Sequence, residues 1–178
     1  MAWSTEGPYI ELEPLLESRD RRRALQEELL AQYGRPLVSF MVNMPGPIKD
    51  NPLARRLHQA GWELLAERFR PHSLYSLVRP LATGWEGYLV VDLQPLELKR
   101  QTAHLEDTHP LGRLFDFDVH APQGQISRSQ LDLPPRLCLI CSRPAPYCAR
   151  SRTHSVDQLL EAVGQLAQSY FGALPCAK

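Results

Sequence analysis

The sequence predicts an α+β fold in a single domain spanning residues 1–178, with a mixed or antiparallel sheet and flanking helices. Three observations carry this. Two strand-like patterns, 71–80 and 85–93, are joined by the short link Leu81-Ala-Thr-Gly84, which reads as a hairpin. A continuous apolar run over residues 36–44 reads as a buried strand. The segments 51–70 and 155–171 repeat apolar residues at helical spacing behind capping residues. No repeat, low-complexity tract or linker divides the chain.

In chain order, residues 1–17 show little periodicity, and 1–12 are expected to be loosely ordered. Ser18 can cap a helix over 19–33 with Leu25, Leu29 and Tyr33 on one face, ended by Gly34 and Pro36. The buried strand stops at Pro45-Gly-Pro47. Asn51 and Pro52 are an N-cap and a first-turn proline, and Leu53, Leu57, Ala60 and Leu64 form the stripe behind them. Residues 96–109 can be helical, with Pro110 marking the stop. A strand follows over 115–119. After the turn at Pro122-Gln-Gly124, residues 125–128 can pair back on it. Ser155 and Gln158 form a capping box for the last helix, which Gly172 ends.

The bulk properties exclude more than they assign. A hydrophobic fraction of 43% and a charged fraction of 22% are ordinary for a soluble globular protein. Lys+Arg and Asp+Glu are 20 each, so no net charge points to nucleic acid or to a membrane surface. Basic residues do cluster locally, at 19–23, 49–56 and 136–152. The N-terminus lacks a signal-peptide pattern and no segment approaches the ~20 apolar residues of a membrane span, so a cytoplasmic location is expected. Three of the four cysteines fall within 138–148. In a reducing compartment they read as free thiols or metal ligands, and Cys176 as incidental.

Phe115-Asp-Phe-Asp-Val119 concentrates the candidate chemistry. In a strand, Asp116 and Asp118 share one face and the apolar residues share the other. Two carboxylates on one face can hold Mg²⁺ together with substrate phosphates, or simply face solvent. Glu106 and His109, three apart on a helix, are candidates for proton transfer or for helix-end electrostatics. Gly112-Arg113 leads into the strand, and Arg113 can grip phosphate or pair with a nearby acid. The turn from Asn43 to Lys49, with Gly46 at its bend, joins a buried strand to a helix start and suits an anion. Cys138, Cys141, Cys148 and His154 have the ligand types of a closed structural zinc site, in a loop segment over 136–154.

Together these pieces resemble the apo-citrate lyase phosphoribosyl-dephospho-CoA transferase family, the holo-acyl-carrier-protein synthases of citrate lyase. The likeness rests on Ser18-Arg-Asp20, the 36–40 run, Pro45-Gly-Pro-Ile-Lys49, Glu106-x-x-His-Pro-Leu-Gly-Arg-Leu-Phe-Asp-x-Asp-Val119, Pro134-Pro-Arg-x-Cys-Leu-x-Cys141 and Cys148-Ala-Arg-x-x-x-His154, and covers about residues 13–170. It implies transfer of the 2′-(5″-triphosphoribosyl)-3′-dephospho-CoA group to a serine of the citrate lyase acyl carrier (gamma) subunit, with release of pyrophosphate. It also implies Mg²⁺ on Asp116 and Asp118. Arg113, Lys49 and Arg136 would neutralise the triphosphate, beside Gly46 and Gly112, and Glu106 or His109 would take the serine proton. A nucleotidyltransferase-like palm is the analogous fold. Two features depart from that palm: Gly112-Arg113 lies only three residues before Asp116, and the nearest later acid, Asp132, sits beside prolines. The rivals are a zinc-stabilised binding module or assembly factor, and the equivalent transfer to a malonate decarboxylase carrier.

Overall fold

The computed structural model describes residues 4–172; Cys176 lies outside them. Five strands form one sheet: β1 (Leu37–Val42), β2 (Ser73–Arg79), β3 (Glu86–Val91), β4 (Phe115–Ala121) and β5 (Gly124–Ile126). Their order is β2-β3-β1-β4-β5 and every neighbouring pair is antiparallel. The choice left open by the sequence, mixed or antiparallel, is therefore antiparallel. Five helices flank the sheet: α1 (Leu12–Tyr33), α2 (Pro52–Phe69), α3 (Pro95–Thr108), α4 (Ala145–Ser151) and α5 (Val156–Phe171).

Local signals account for most boundaries. The Asn51 side chain accepts the Ala54 N–H at 2.7 Å and starts α2. Ser155 and Gln158 exchange their two hydrogen bonds at the start of α5. Gly34 adopts a left-handed φ of 59° and closes α1.

Two expectations are corrected. The segment 136–154, expected to be a loop, contains the short helix α4, which carries the buried Cys148 and has Pro144 as its N-cap. α1 begins at Leu12, six residues before the expected cap at Ser18. Pro14 falls in the first turn, where the N–H groups lack helical acceptors anyway, so the proline costs that turn no hydrogen bond. Ser18 is buried inside the helix, and its hydroxyl pairs with the Thr83 hydroxyl at 2.9 Å. Upstream, Tyr9 bridges Ile48 and Ile10 N–H donates to Pro47 O.

The two faces of the sheet have different covers. On one face Val38, Phe40, Phe115, Phe117 and Val119 pack under α2, α3 and α5 in the main core. On the other, Leu37, Tyr88 and Val90 pack under Leu25, Leu29 and Tyr33 of α1. Leu25, Leu29 and Tyr33 extend an i, i+3/i+4 stripe that begins at Leu15, Ser18 and Arg22. The stripe is apolar over Leu37, Tyr88 and Val90 and polar towards Thr83 and Glu86.

Candidate active site

β4 alternates as expected. Phe115, Phe117 and Val119 are buried, while Asp116 and Asp118 project from the opposite face. β4 is held in place on both edges. Along one edge it pairs with β1 from Phe115 to His120. Along the other, β5 reaches only Val119–Ala121. Two side chains of α3 serve the stretch that β5 leaves open. Glu106 Oε1 accepts the Phe117 N–H at 2.9 Å, and Lys99 Nζ donates to the Phe117 carbonyl at 3.1 Å. Both are buried, and together they replace the missing partner strand at the residue between the two aspartates. The Glu106 carboxyl is held above the usual range by burial, opposed by the charges of Arg136 and Lys99. Arg128 also binds it, at 3.1 Å.

Asp116 opens into a cavity of about 390 Å³ lined also by Arg19, Arg22, Met41, Lys49 and Thr83. Its side chain is 51% exposed. The enclosing protein raises its carboxyl above the usual carboxylate range, and the Asp118 charge adds to that rise; Arg136, Lys99 and Arg22 act the other way. Arg136 Nη1 stands 3.4 Å from Asp116 Oδ1. Asp118 Oδ1 accepts from Gln125 Nε2 at 3.0 Å. Lys49 Nζ donates to the Met44 carbonyl at 2.5 Å, and burial lowers the pKa of its ammonium. Gly46, at φ 76°, bends the turn that brings Lys49 here, and a Cβ on it would meet Val156 Cγ1 at 2.9 Å.

The remaining sequence candidates take different places. A Cβ on Gly112 would meet the Glu106 carbonyl at 2.3 Å, so the glycine lets the turn before β4 fold against the end of α3. Arg113 donates to the carbonyls of Leu137 and Cys138. Arg136 donates to the carbonyls of Gly112 and Arg113 at 3.2 and 2.9 Å. These two arginines thus lace the turn before β4 to the cysteine segment, beside a second cavity of about 250 Å³. His109 caps α3 with extended backbone. Its ring packs on Phe115 and Tyr170, centroids 5.4 and 5.2 Å away, on the face opposite Asp116. Asp132 sits exposed at the end of a short 3-10 turn.

A third carboxylate does share the aspartate face: Glu86. Met41 pairs with Asp116 on one side and with Glu86 on the other, so the three form a row across β4, β1 and β3. Two strand spacings put the backbones of the two acids about 10 Å apart. Glu86 is fully buried and bound by Arg22 at 3.0 Å, by the Tyr88 hydroxyl at 2.6 Å and by Arg79 at 3.7 Å. It anchors Arg22 beside Asp116. Asp116 on an open cavity, with Asp118 beside it on the same strand face, matches the usual way Mg²⁺ is held, by one or two carboxylates plus substrate phosphates.

Cys138, Cys141, Cys148 and His154 converge, with all ligand atoms within 4.8 Å of one another. Cys141 Sγ lies 3.5 Å from Cys148 Sγ and 3.4 Å from His154 Nε2. Tetrahedral ligands about 2.3 Å from zinc lie roughly 3.7 Å apart, so this geometry fits a four-ligand metal site.

Arg19, Arg22, Glu86 and Lys99 were not among the site candidates read from the sequence, although Arg19 and Arg22 lie in the 19–23 basic cluster and Arg19 in Ser18-Arg-Asp20. Arg19 and Arg22 carried a signal: with Leu15 and Ser18 they stand at i, i+3, i+4 and i+7 on one helical face. Lys99 and Glu86 carried none, because their roles depend on which strand edge and which strand row they meet.

The family model described as apo-citrate lyase phosphoribosyl-dephospho-CoA transferase (CitX) matches residues 10–170. The chain is 42% identical over 155 residues to the protein of that name from Citrobacter koseri, covering 85% of each. It is 41% identical over 163 residues to that from Escherichia coli O139:H28, covering 88% of each. It is also 37% identical over 172 residues to "Protein CitXG" of Haemophilus influenzae, covering 94% of this chain but only 37% of that longer protein. With its acidic strand, cysteine cluster and nearly full-length match, the chain belongs to the apo-citrate lyase phosphoribosyl-dephospho-CoA transferase family.

Proposed function

We propose that this protein attaches the 2′-(5″-triphosphoribosyl)-3′-dephospho-CoA group to a serine of the citrate lyase acyl carrier (gamma) subunit, releasing pyrophosphate. The observation that carries the reading is Asp116, on the same strand face as Asp118, opening onto a cavity lined by basic side chains. The serine oxygen attacks the α-phosphorus, a phosphodiester bond forms, the bond to the β-phosphate breaks, and the serine proton is released. Mg²⁺ held by Asp116 and Asp118 would neutralise phosphate charge and polarise the reacting oxygens. Lys49 and Arg136 add positive charge on either side of Asp116. Glu106 and Lys99 act from behind, fixing the Phe117 peptide and with it the spacing of the two aspartates. Catalysis is then positioning plus charge neutralisation.

Zinc on Cys138, Cys141, Cys148 and His154 would be structural, since four protein ligands leave no open position. It would pin residues 136–154 and so the Arg136 guanidinium against Asp116.

The test is intact-mass measurement of the apo-carrier after incubation with Mg²⁺, the triphosphoribosyl precursor and this protein. The carrier gains the prosthetic-group mass, and Asp116→Ala or Asp118→Ala abolishes the gain. A carrier that never gains mass beside an active reference enzyme overturns the reading in favour of a binding module. Unchanged transfer by both variants overturns the metal assignment.

A further inference from the structure

We propose that Arg19 of α1, acting with Lys49, is the cradle for the leaving pyrophosphate, so that α1 supplies half of the triphosphate site. This deepens the transferase reading and rests on it for the identity of the ligand. The cavity in front of Asp116 is lined by three cations, Arg19, Arg22 and Lys49. Arg22 is balanced by the buried Glu86. Arg19 forms no ion pair among the described residues, and Lys49 has only the Met44 carbonyl as a partner. Two cations without carboxylate partners thus face one cavity whose acid, Asp116, is the proposed metal ligand.

The other basic residues near β4 are committed. Arg113 is spent on two carbonyls of the cysteine segment. Arg136 reaches Asp116, Glu106 and two carbonyls. Arg128 is paired with Glu106 and Asp107. Among the described residues, only Arg19 and Lys49 combine a charge without a carboxylate partner with a place in the Asp116 cavity. Their elements are braced there. Ser18, next to Arg19, is hydrogen-bonded to Thr83 at 2.9 Å, and Lys49 follows the Pro45-Gly-Pro47 turn. A cavity of about 390 Å³ is in the range of small-ligand sites, and low-dielectric walls around like charges focus the field on an anion. A guanidinium fork and an ammonium suit a diphosphate, the first gripping two oxygens and the second acting as a point charge.

Calorimetric titration of the whole protein with inorganic pyrophosphate in the presence of Mg²⁺, without carrier or precursor, tests this. Arg19→Gln and Lys49→Gln are each expected to weaken binding at least about 10-fold, consistent with one lost charge-assisted contact. Arg19→Lys should restore part of it, and exposed Arg143→Gln should change nothing. Melting curves confirm that each variant is folded. No pyrophosphate binding by the unaltered protein, or undiminished binding by both variants, overturns the cradle even if carrier transfer proceeds. Arg19-dependent binding with no transfer to any carrier keeps the cradle and sinks the transferase reading.

Discussion

The acidic strand and the cysteine segment touch through Arg136 and Arg113, yet they are held by opposite means. β4 lies inside a sheet, with Phe115, Phe117 and Val119 in the main core, β1 along one edge, and Glu106 and Lys99 closing the gap on the other. Nothing about its backbone awaits a ligand. Residues 136–154 have Leu137, Ile140 and Tyr147 exposed. Their shape rests on the short helix α4, four convergent ligand side chains and a few further backbone bonds, among them Cys138 N–H to Arg143 O at 2.7 Å and Ala145 N–H to Arg136 O at 2.8 Å. A site whose geometry must hold without its metal is built on the sheet; one whose metal supplies the geometry can be built on a loop.

The sharpest break of this comparison is at the aspartates. Asp116→Ala or Asp118→Ala should cut carrier labelling by at least about 100-fold, the scale of losing an electrostatic contact to the transition state. The melting temperature should stay near that of the unaltered protein. A large thermal loss would mean that the aspartates hold the strand rather than the substrate.

Next comes the support behind them. Glu106→Leu removes the acceptor for the Phe117 N–H and leaves Arg128 facing an uncharged side chain, and should cost about 3–5 kcal/mol in denaturant unfolding. A small loss would show that β4 does not depend on α3.

Acid titration probes the same scaffold. His58 is buried against Phe40, and burial lowers its pKa from 6.5 to about 4. The unfolded chain therefore binds the proton more readily between these values, and stability falls as the pH drops from 6.5 towards 4. The lowered pKa corresponds to a loss of about 3 kcal/mol at most. His109 and His120, shifted the same way by burial, act in the same direction. His58→Phe should flatten most of the dependence in urea unfolding measured across this window; an unchanged slope would place the titrating group elsewhere.

The smallest global effect is expected from metal removal. Treatment with a chelator, or Cys141→Ser, should open residues 136–154 to limited proteolysis. The main unfolding transition should move by only on the order of 1 kcal/mol, because local opening need not carry the core with it. Collapse of the whole fold would erase the distinction between the two regions. Elemental analysis of protein purified without added metal tests whether the cluster holds zinc.

The caps at Asn51 and Ser155, the hairpin, the presence of the strands and the alternation of Phe115 to Val119 were all legible in the sequence. Each depends on residues within a few positions of one another, where capping groups and side-chain period act directly. The convergence of Cys138, Cys141, Cys148 and His154 was legible for the same reason: the spacing is short and the ligand types are few. The tertiary structure alone decided the rest. Ser18 looked like a cap and is a buried contact to Thr83, because α1 already begins at Leu12. Gly112 looked like part of a phosphate turn, and its hydrogen atoms make room for the Glu106 carbonyl. Glu86 enters the aspartate row only because β3 and β4 both flank β1, where Met41 pairs with Glu86, 45 positions on, and with Asp116, 75 positions on. Arg19 faces Asp116 only because α1 crosses that end of the sheet. Local chemistry determined which elements form and which acids share a face. Which cations those acids meet is set by long-range packing, and no spacing along the chain encodes it.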